Sequence, residues 1–83
     1  MLYLYTTSQC PYCDRVKTYL HTVDIPFTEK NIETNPAYRT ELVTLGGKLQ
    51  IPFLVDTDAR THLYESSEII EYVATHYANH RHA

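Results

Sequence analysis

The chain has 83 residues, 43% of them hydrophobic, and a formal net charge of −3 from seven Lys+Arg against ten Asp+Glu. That length fits one domain, read as 1–83, and such a short domain buries a modest share of its surface and folds with a thin margin. The charge forms no basic block and no apolar run nears the roughly 20 residues of a membrane span, so neither nucleic acid nor a membrane is an expected partner.

The opening Met1-Leu2-Tyr3-Leu4-Tyr5 lacks a charged leader and enters a strand pattern at once, so no signal peptide is expected and the expected compartment is the cytoplasm. Leu2 to Tyr5 reads as a strand buried on both faces, ending in the polar run Thr6 to Gln9. Pro11 stands at a first helical position, and Val16, Leu20 and Val23 follow at helical spacing, which predicts a helix over Pro11 to Val23. Asp24-Ile25-Pro26 is a turn, and Pro26 to Ile32 a second strand with Phe27 facing in. Asn35 as cap and Pro36 at the first position start a second helix. Its inner face is Tyr38, Leu42 and Leu45, and Gly46-Gly47 ends it. Ile51 to Val55 is a strand opened by a proline, Asp56 to Arg60 a turn, and Thr61 to Tyr64 the hairpin partner. Ser66 or Ser67 caps a last helix with Ile69, Ile70, Val73 and Tyr77 on its apolar face. The tail from Asn79 to Ala83 is expected to fray. The order is β-α-β-α-β-β-α. A βαβ start demands a parallel pair, and the closing hairpin makes the sheet mixed. The eight tyrosines imply that each buried ring finds a partner for its hydroxyl.

The chain's two cysteines are Cys10 and Cys13. In a reducing compartment such a pair reads as catalytic or metal-bound rather than as a staple. Cys10 falls at the first helix's N-cap, where the helix dipole and the unpaired N–H groups of the first turn favour a thiolate, the nucleophilic form. Pro11 removes one orphan N–H at no cost, and Tyr12 sets a ring beside the sulfur as a wall for a substrate. Cys13 lies one turn on along the same side, within disulfide reach, but deeper and outside the first-turn field. The asymmetry makes Cys10 the attacking thiol and Cys13 the resolving one, by way of a mixed disulfide. A structural zinc site needs four ligands, and no second cysteine pair exists. His76, His80 and His82 read as solvent contacts near a helix C-terminus, so no metal is expected.

Cys10-Pro11-Tyr12-Cys13 at the first strand-to-helix junction resembles the active site of a dithiol glutaredoxin. Leu4-Tyr5-Thr6 before the motif, Gly46 near the end of the second helix, Ile51-Pro52 at a strand start and a polar pair before the last helix all stand where that family places them. The resemblance covers nearly the whole chain. It implies an α/β thioredoxin (glutaredoxin-like) fold, with a four-stranded mixed sheet flanked by three helices. It also implies that Pro52 is cis and faces Cys10, leaving the Ile51 backbone to pair with an extended peptide, which in glutaredoxins is glutathione. Without the resemblance, Pro52 reads as a trans proline opening an edge strand.

Glu65-Ser66-Ser67-Glu68-Ile69 is similar to the glutathione site of glutathione transferase N-terminal domains. The likeness implies that Ser66 binds the γ-glutamyl carboxylate with its hydroxyl and N–H, with Ser67 or Glu68 near the γ-glutamyl amine. A helix N-terminus is an anion site, and the same residues also read as a plain capping box. Glutaredoxins commonly carry a lysine three residues before the first cysteine. Here that residue is Thr7, which removes a support for the thiolate and for the glycine carboxylate of glutathione. Arg39 matches a family position that reaches toward that carboxylate, while Arg15 and Lys48 read either as added charge or as solvated surface.

The expected activity is that of a glutathione-dependent thiol–disulfide oxidoreductase. Cys10 attacks a protein disulfide or a glutathione mixed disulfide, Cys13 resolves the protein-bound intermediate, and two glutathiones reduce the oxidised pair. Tyr12, Arg39, Ile51, Pro52, Glu65, Ser66 and Ser67 hold the tripeptide. Glutathione is a co-substrate and no cofactor is bound. Protein substrates include ribonucleotide reductase at the level of the family, and a monomer is the default. The potential falls near roughly −200 to −230 mV. Three rivals stand beside this reading: a redoxin recharged by thioredoxin reductase, a carrier of an iron–sulfur cluster shared between two subunits by Cys10 and glutathione, and a transferase-like binding domain cut from a longer protein.

Overall fold

The computed structural model describes residues 1–77. The elements are β1 (Leu2–Thr6), α1 (Pro11–Thr22), β2 (Thr28–Asn31), α2 (Pro36–Gly46), β3 (Phe53–Asp56), β4 (Thr61–Tyr64) and α3 (Ser66–His76), in the expected β-α-β-α-β-β-α order. One four-stranded sheet runs β2-β1-β3-β4. The α1 crossover makes β1 and β2 parallel, whereas β3 runs antiparallel to β1 with Leu4 opposite Leu54, and β4 returns beside it with Leu63 opposite Leu54.

Strand alternation sends side chains to two separate cores. Leu2, Leu4 and Leu54 point to one face and pack with Val16 and Leu20 of α1 and Ile69 and Val73 of α3. Tyr5, Phe53 and Val55 point to the other and meet Leu42 of α2. Each fully buried leucine or isoleucine contributes about 1.5–3 kcal/mol, so β1 and β3, which feed both cores, form the mechanical centre. The buried Tyr5 does find a partner, its hydroxyl donating to Glu41 Oε1 at 2.8 Å, and the half-buried Tyr64 donates to the Lys48 carbonyl at 2.6 Å. Burial, then the bond to Glu41, pushes the Tyr5 hydroxyl up to about 12.

The structure corrects several element boundaries. α1 ends at Thr22, with Val23 as its cap. β2 starts at Thr28, two residues after Pro26, and Phe27 is half-buried with its ring 5.4 Å from that of His21. β3 starts at Phe53 rather than Ile51, since Pro52 has no N–H to give a ladder. Asp56, read as the start of a turn, is the last residue of β3. In α2, Leu42 is buried and Tyr38 half-buried, but Leu45 is 42% exposed and lies off the inner face. The Asn35 side chain caps α2 as expected by accepting the Ala37 N–H. Gly47 closes it in the left-handed region at φ 87°. Gly46 is needed for a different reason: a Cβ there would fall 2.0 Å from the Tyr64 hydroxyl oxygen.

The start of α3 also differs. Its N-cap is Glu65, at φ 72°, and Ser66 is already helical, so neither Ser66 nor Ser67 is the cap and no side chain caps this helix. Of its expected apolar face, Ile69 and Val73 are buried, and Ile70 and Tyr77 pack against the same core while half-buried. The tail from Asn79 lies outside the described residues.

Asp56 ties the end of β3 to the end of α3. It is 1% exposed, and its carboxylate accepts the hydroxyls of Tyr72 (2.6 Å) and Tyr77 and the N–H groups of Asp58 and Ala59. Burial alone would raise the carboxyl, but the two hydroxyls and two N–H groups outweigh it, and the net direction is down. A carboxyl depressed by folding adds stability above its unfolded value near 4 and loses it as pH falls through the native value. Asp56→Asn therefore costs about 1–3 kcal/mol at neutral pH and flattens the acid limb of the stability curve below about pH 5, as read by urea unfolding across pH.

Candidate active site

The site starts at a short loop between two fixed ends. β1 pins Thr6, and α1 begins at Pro11, whose ring presets a helical φ. Between them, the Ser8 N–H donates to Glu33 at 2.8 Å and Asn31 donates to the Ser8 hydroxyl at 3.2 Å. Cys10 is thereby held extended (φ −131°, ψ 101°) as the α1 N-cap, and its Sγ accepts the Cys13 N–H at 3.1 Å. The sulfur thus gives one of the otherwise unpartnered N–H donors of the first turn of α1 an acceptor. Cys10 is 7% exposed, and both cysteines are free thiols.

Cys13 is 0% exposed. Burial, and then its contact with the Cys10 sulfur, push its thiol well above the ordinary range, opposed by a backbone bond from Thr7 and by the charge of Lys17. The two sulfurs thus differ as the sequence requires: one at the helix mouth, one shut beneath it. Tyr12 between them is 63% exposed.

Beside this motif opens a cleft of about 370 Å³ lined by Tyr12, Arg15, Gln50, Ile51, Pro52, Glu65, Ser66 and Ser67. Its walls come from three separate parts of the chain: the first turn of α1, the segment before β3, and the start of α3. The Ile51–Pro52 bond is cis, as the resemblance implies. Ile51 lies beyond the β1–β3 ladder, which stops at Phe53 opposite Tyr5. Ser66 is buried at the head of α3, whose first-turn N–H groups have no side-chain cap. The Gln50 amide approaches the Glu65 carboxylate at 3.4 Å across the cleft.

Six of the residues expected to hold a ligand, Tyr12, Ile51, Pro52, Glu65, Ser66 and Ser67, line this cleft together. Arg39 does not: it is exposed on α2 and absent from the lining. Lys48 stands over the Tyr64 ring at 4.7 Å, also outside the lining. Arg15, read only as optional charge, does line the cleft, one turn along α1 from Tyr12. Gln50 was not anticipated, and its position directly before Ile51-Pro52 is the signal that points to it. A larger groove of about 630 Å³ lies on the α2 face of the sheet. Neither opening is lined by a cysteine, but the smaller one is lined by Tyr12, which lies between the two cysteines, and by the cis-proline and Glu65–Ser67 segments, none of which line the larger groove. No cluster of His, Cys, Asp and Glu fit to hold a metal occurs among the described residues. His76 is exposed and stacks on Tyr72 at 4.3 Å, while His80 and His82 lie outside the described residues. No helix among the described residues is long and apolar enough to cross a membrane.

Residues 9–76 match the family model of the glutathione S-transferase N-terminal domain. The chain belongs to this family, as a glutaredoxin-like member of the thioredoxin superfamily. Glutaredoxin 3 of Escherichia coli K12 is 37% identical over 49 residues, which is 59% of this chain and 59% of that protein. The chain thus matches less than two thirds of that relative's length. A thioredoxin-like protein superposes with a TM-score of 0.78 at 21% identity, over 90% of this chain and 97% of its own. A glutathione transferase homologue from Sulfitobacter, solved with bound glutathione, superposes with a TM-score of 0.77 at 24% identity, over 99% of this chain and 39% of its own. At such identities the likeness shows the thioredoxin-like fold.

The burial difference between the thiols has a direct readout. Under limiting iodoacetamide, this glutaredoxin-like chain should be alkylated at Cys10 first, with Cys13 labelled only on unfolding, as peptide mass mapping of the modified cysteine reports.

Proposed function

We propose that the chain is a glutathione-dependent thiol–disulfide oxidoreductase that reduces protein disulfides and glutathione mixed disulfides. The observation that carries this reading is the Cys13 N–H aimed at the Cys10 sulfur on the mouth of α1, beside a cleft walled by the cis-proline segment and the head of α3.

In this reading the Cys10 thiolate attacks a substrate disulfide, forming a mixed disulfide and releasing one thiol. Cys13 then attacks the Cys10 sulfur, closing the Cys10–Cys13 disulfide and releasing the second thiol. Two glutathiones restore the dithiol, the first joining Cys10. The cleft offers glutathione its complementary groups. The Ile51 backbone, at the end of the ladder, can pair with the tripeptide as an added strand. Ser66 and the uncapped first-turn N–H groups of α3 form an anion site for the γ-glutamyl carboxylate, and Glu65 faces the γ-glutamyl amine. Tyr12 walls the sulfur side. Arg15 lines the same cleft and supplies the positive charge that Thr7 cannot, a role closer to hand for it than for Arg39. Protein substrates approach over Tyr12, the exposed ring of the motif.

The test is reduction of a glutathione mixed disulfide coupled to glutathione and glutathione reductase. Wild type should turn over, Cys10→Ser should be inactive, and Cys13→Ser should retain mixed-disulfide reduction while losing dithiol reduction of a protein disulfide. A chain that is inert with glutathione but reduced by a thioredoxin reductase would overturn the glutathione assignment and leave the thiol roles standing.

A further inference from the structure

Cys13 poses a problem that the cleft does not solve. It must give up its proton to attack, yet it is fully buried, and burial works against the thiolate. The nearest help comes from behind it. Lys17 stands four residues on, one turn further along the same side of α1. Its ammonium lies 3.2 Å from Glu29 Oε2 on β2 and 3.5 Å from Asp14 Oδ1. The same Glu29 oxygen accepts the hydroxyl of Thr6, which is 0% exposed, at 2.6 Å. Thr6 directly precedes Thr7, whose backbone bonds the Cys13 sulfur. A charged couple is thus braced between α1, β1 and β2, one helical turn along α1 from the resolving thiol.

We infer that Lys17, held in place by Glu29, is the cation that tunes Cys13 for the resolving step. This rests on the oxidoreductase reading above. In that step the S–H bond of Cys13 breaks, the Cys13–Cys10 S–S bond forms, and the bond from Cys10 to the substrate sulfur breaks. The dithiol loses two electrons to the substrate disulfide, and the Cys13 proton ends on the departing thiol. Lys17 touches no reacting atom. Its field lowers the cost of negative charge on Cys13 as the proton leaves. Glu29 acts in two opposite ways, fixing the ammonium and partly cancelling its field. The other charged groups that act on this couple are Asp14, paired with Lys17, and His21, whose charge bears on Glu29, and both are exposed. Lys17, half-buried at 26% exposure, is the cation whose charge favours the Cys13 thiolate.

The two charges give opposite signs, which loss of a mere brace would not. The probe is an aromatic nitrobenzoate disulfide, which releases one coloured thiolate when Cys10 attacks and a second when Cys13 resolves. Lys17→Gln should slow the second release at neutral pH by about three- to tenfold, the effect of half to one unit in an ionisation constant, with the gap closing in alkali. The first release should be unchanged. Lys17→Arg should restore the second release, and Glu29→Gln should leave it as fast as wild type or faster. The inference is overturned if Lys17→Gln and Glu29→Gln slow the second release alike, if both releases slow by the same factor, or if Lys17→Gln slows neither. The probe contains no glutathione, so these outcomes are independent of whether the coupled glutathione assay succeeds.

Discussion

The N–H of Cys13 reaching the Cys10 sulfur at 3.1 Å is the contact on which the site depends. It exists because α1 begins where it does. β1 must stop at Thr6, the loop must be held by Ser8, Asn31 and Glu33, and Pro11 must occupy the first helical position without wasting a donor. Were α1 to start one residue later, the sulfur would leave the N-cap position and its N–H donor would point elsewhere. The apolar residues of β1 and α1 are the counterweight: Leu2, Leu4, Val16 and Leu20 bury together and fix the strand against the helix.

A second constraint comes from the antiparallel half of the sheet. β3 enters beside β1 just after Pro52, and β4 leads straight into α3. This connection brings the Gln50–Pro52 segment and the Glu65–Ser67 segment to the same end of the sheet as Cys10. At the far end, the Asp56 carboxylate clamps the C-terminal turn of α3 through Tyr72 and Tyr77. The clamp and the cleft lie at opposite ends of one helix. The clamp holds the axis of α3, and the axis decides where its uncapped N-terminus points.

Much of this was legible in residue order. Cys10, Pro11 and Cys13 carry the N-cap and the buried partner in their spacing alone, and the alternation Leu2-Tyr3-Leu4-Tyr5 announces a strand with two buried faces. Asn35-Pro36 and Gly47 mark both ends of α2 by local chemistry. What was not legible depends on contacts made at a distance. Ser66 looks like a cap, but Glu65 takes the left-handed turn that admits α3 to the sheet, and no local rule favours glutamate there. Leu45 has the spacing of an inner-face residue, yet α2 covers only part of the sheet and leaves it exposed. Asp56 reads as a turn former until two tyrosines, 16 and 21 residues away, are seen to donate to it. Arg39 came from resemblance alone, and the cleft takes its positive side chain from Arg15 instead.

The central claim is that Cys10, not Cys13, joins glutathione beside this cleft. The most direct measurement is intact-protein and peptide mass analysis of Cys13→Ser and Cys10→Ser after incubation with oxidised glutathione. The account predicts one glutathionyl adduct on Cys10 in the first variant, released by reduced glutathione, and no adduct on the second while folded. An adduct on Cys13 in folded Cys10→Ser, or none on Cys10 in Cys13→Ser, would contradict it.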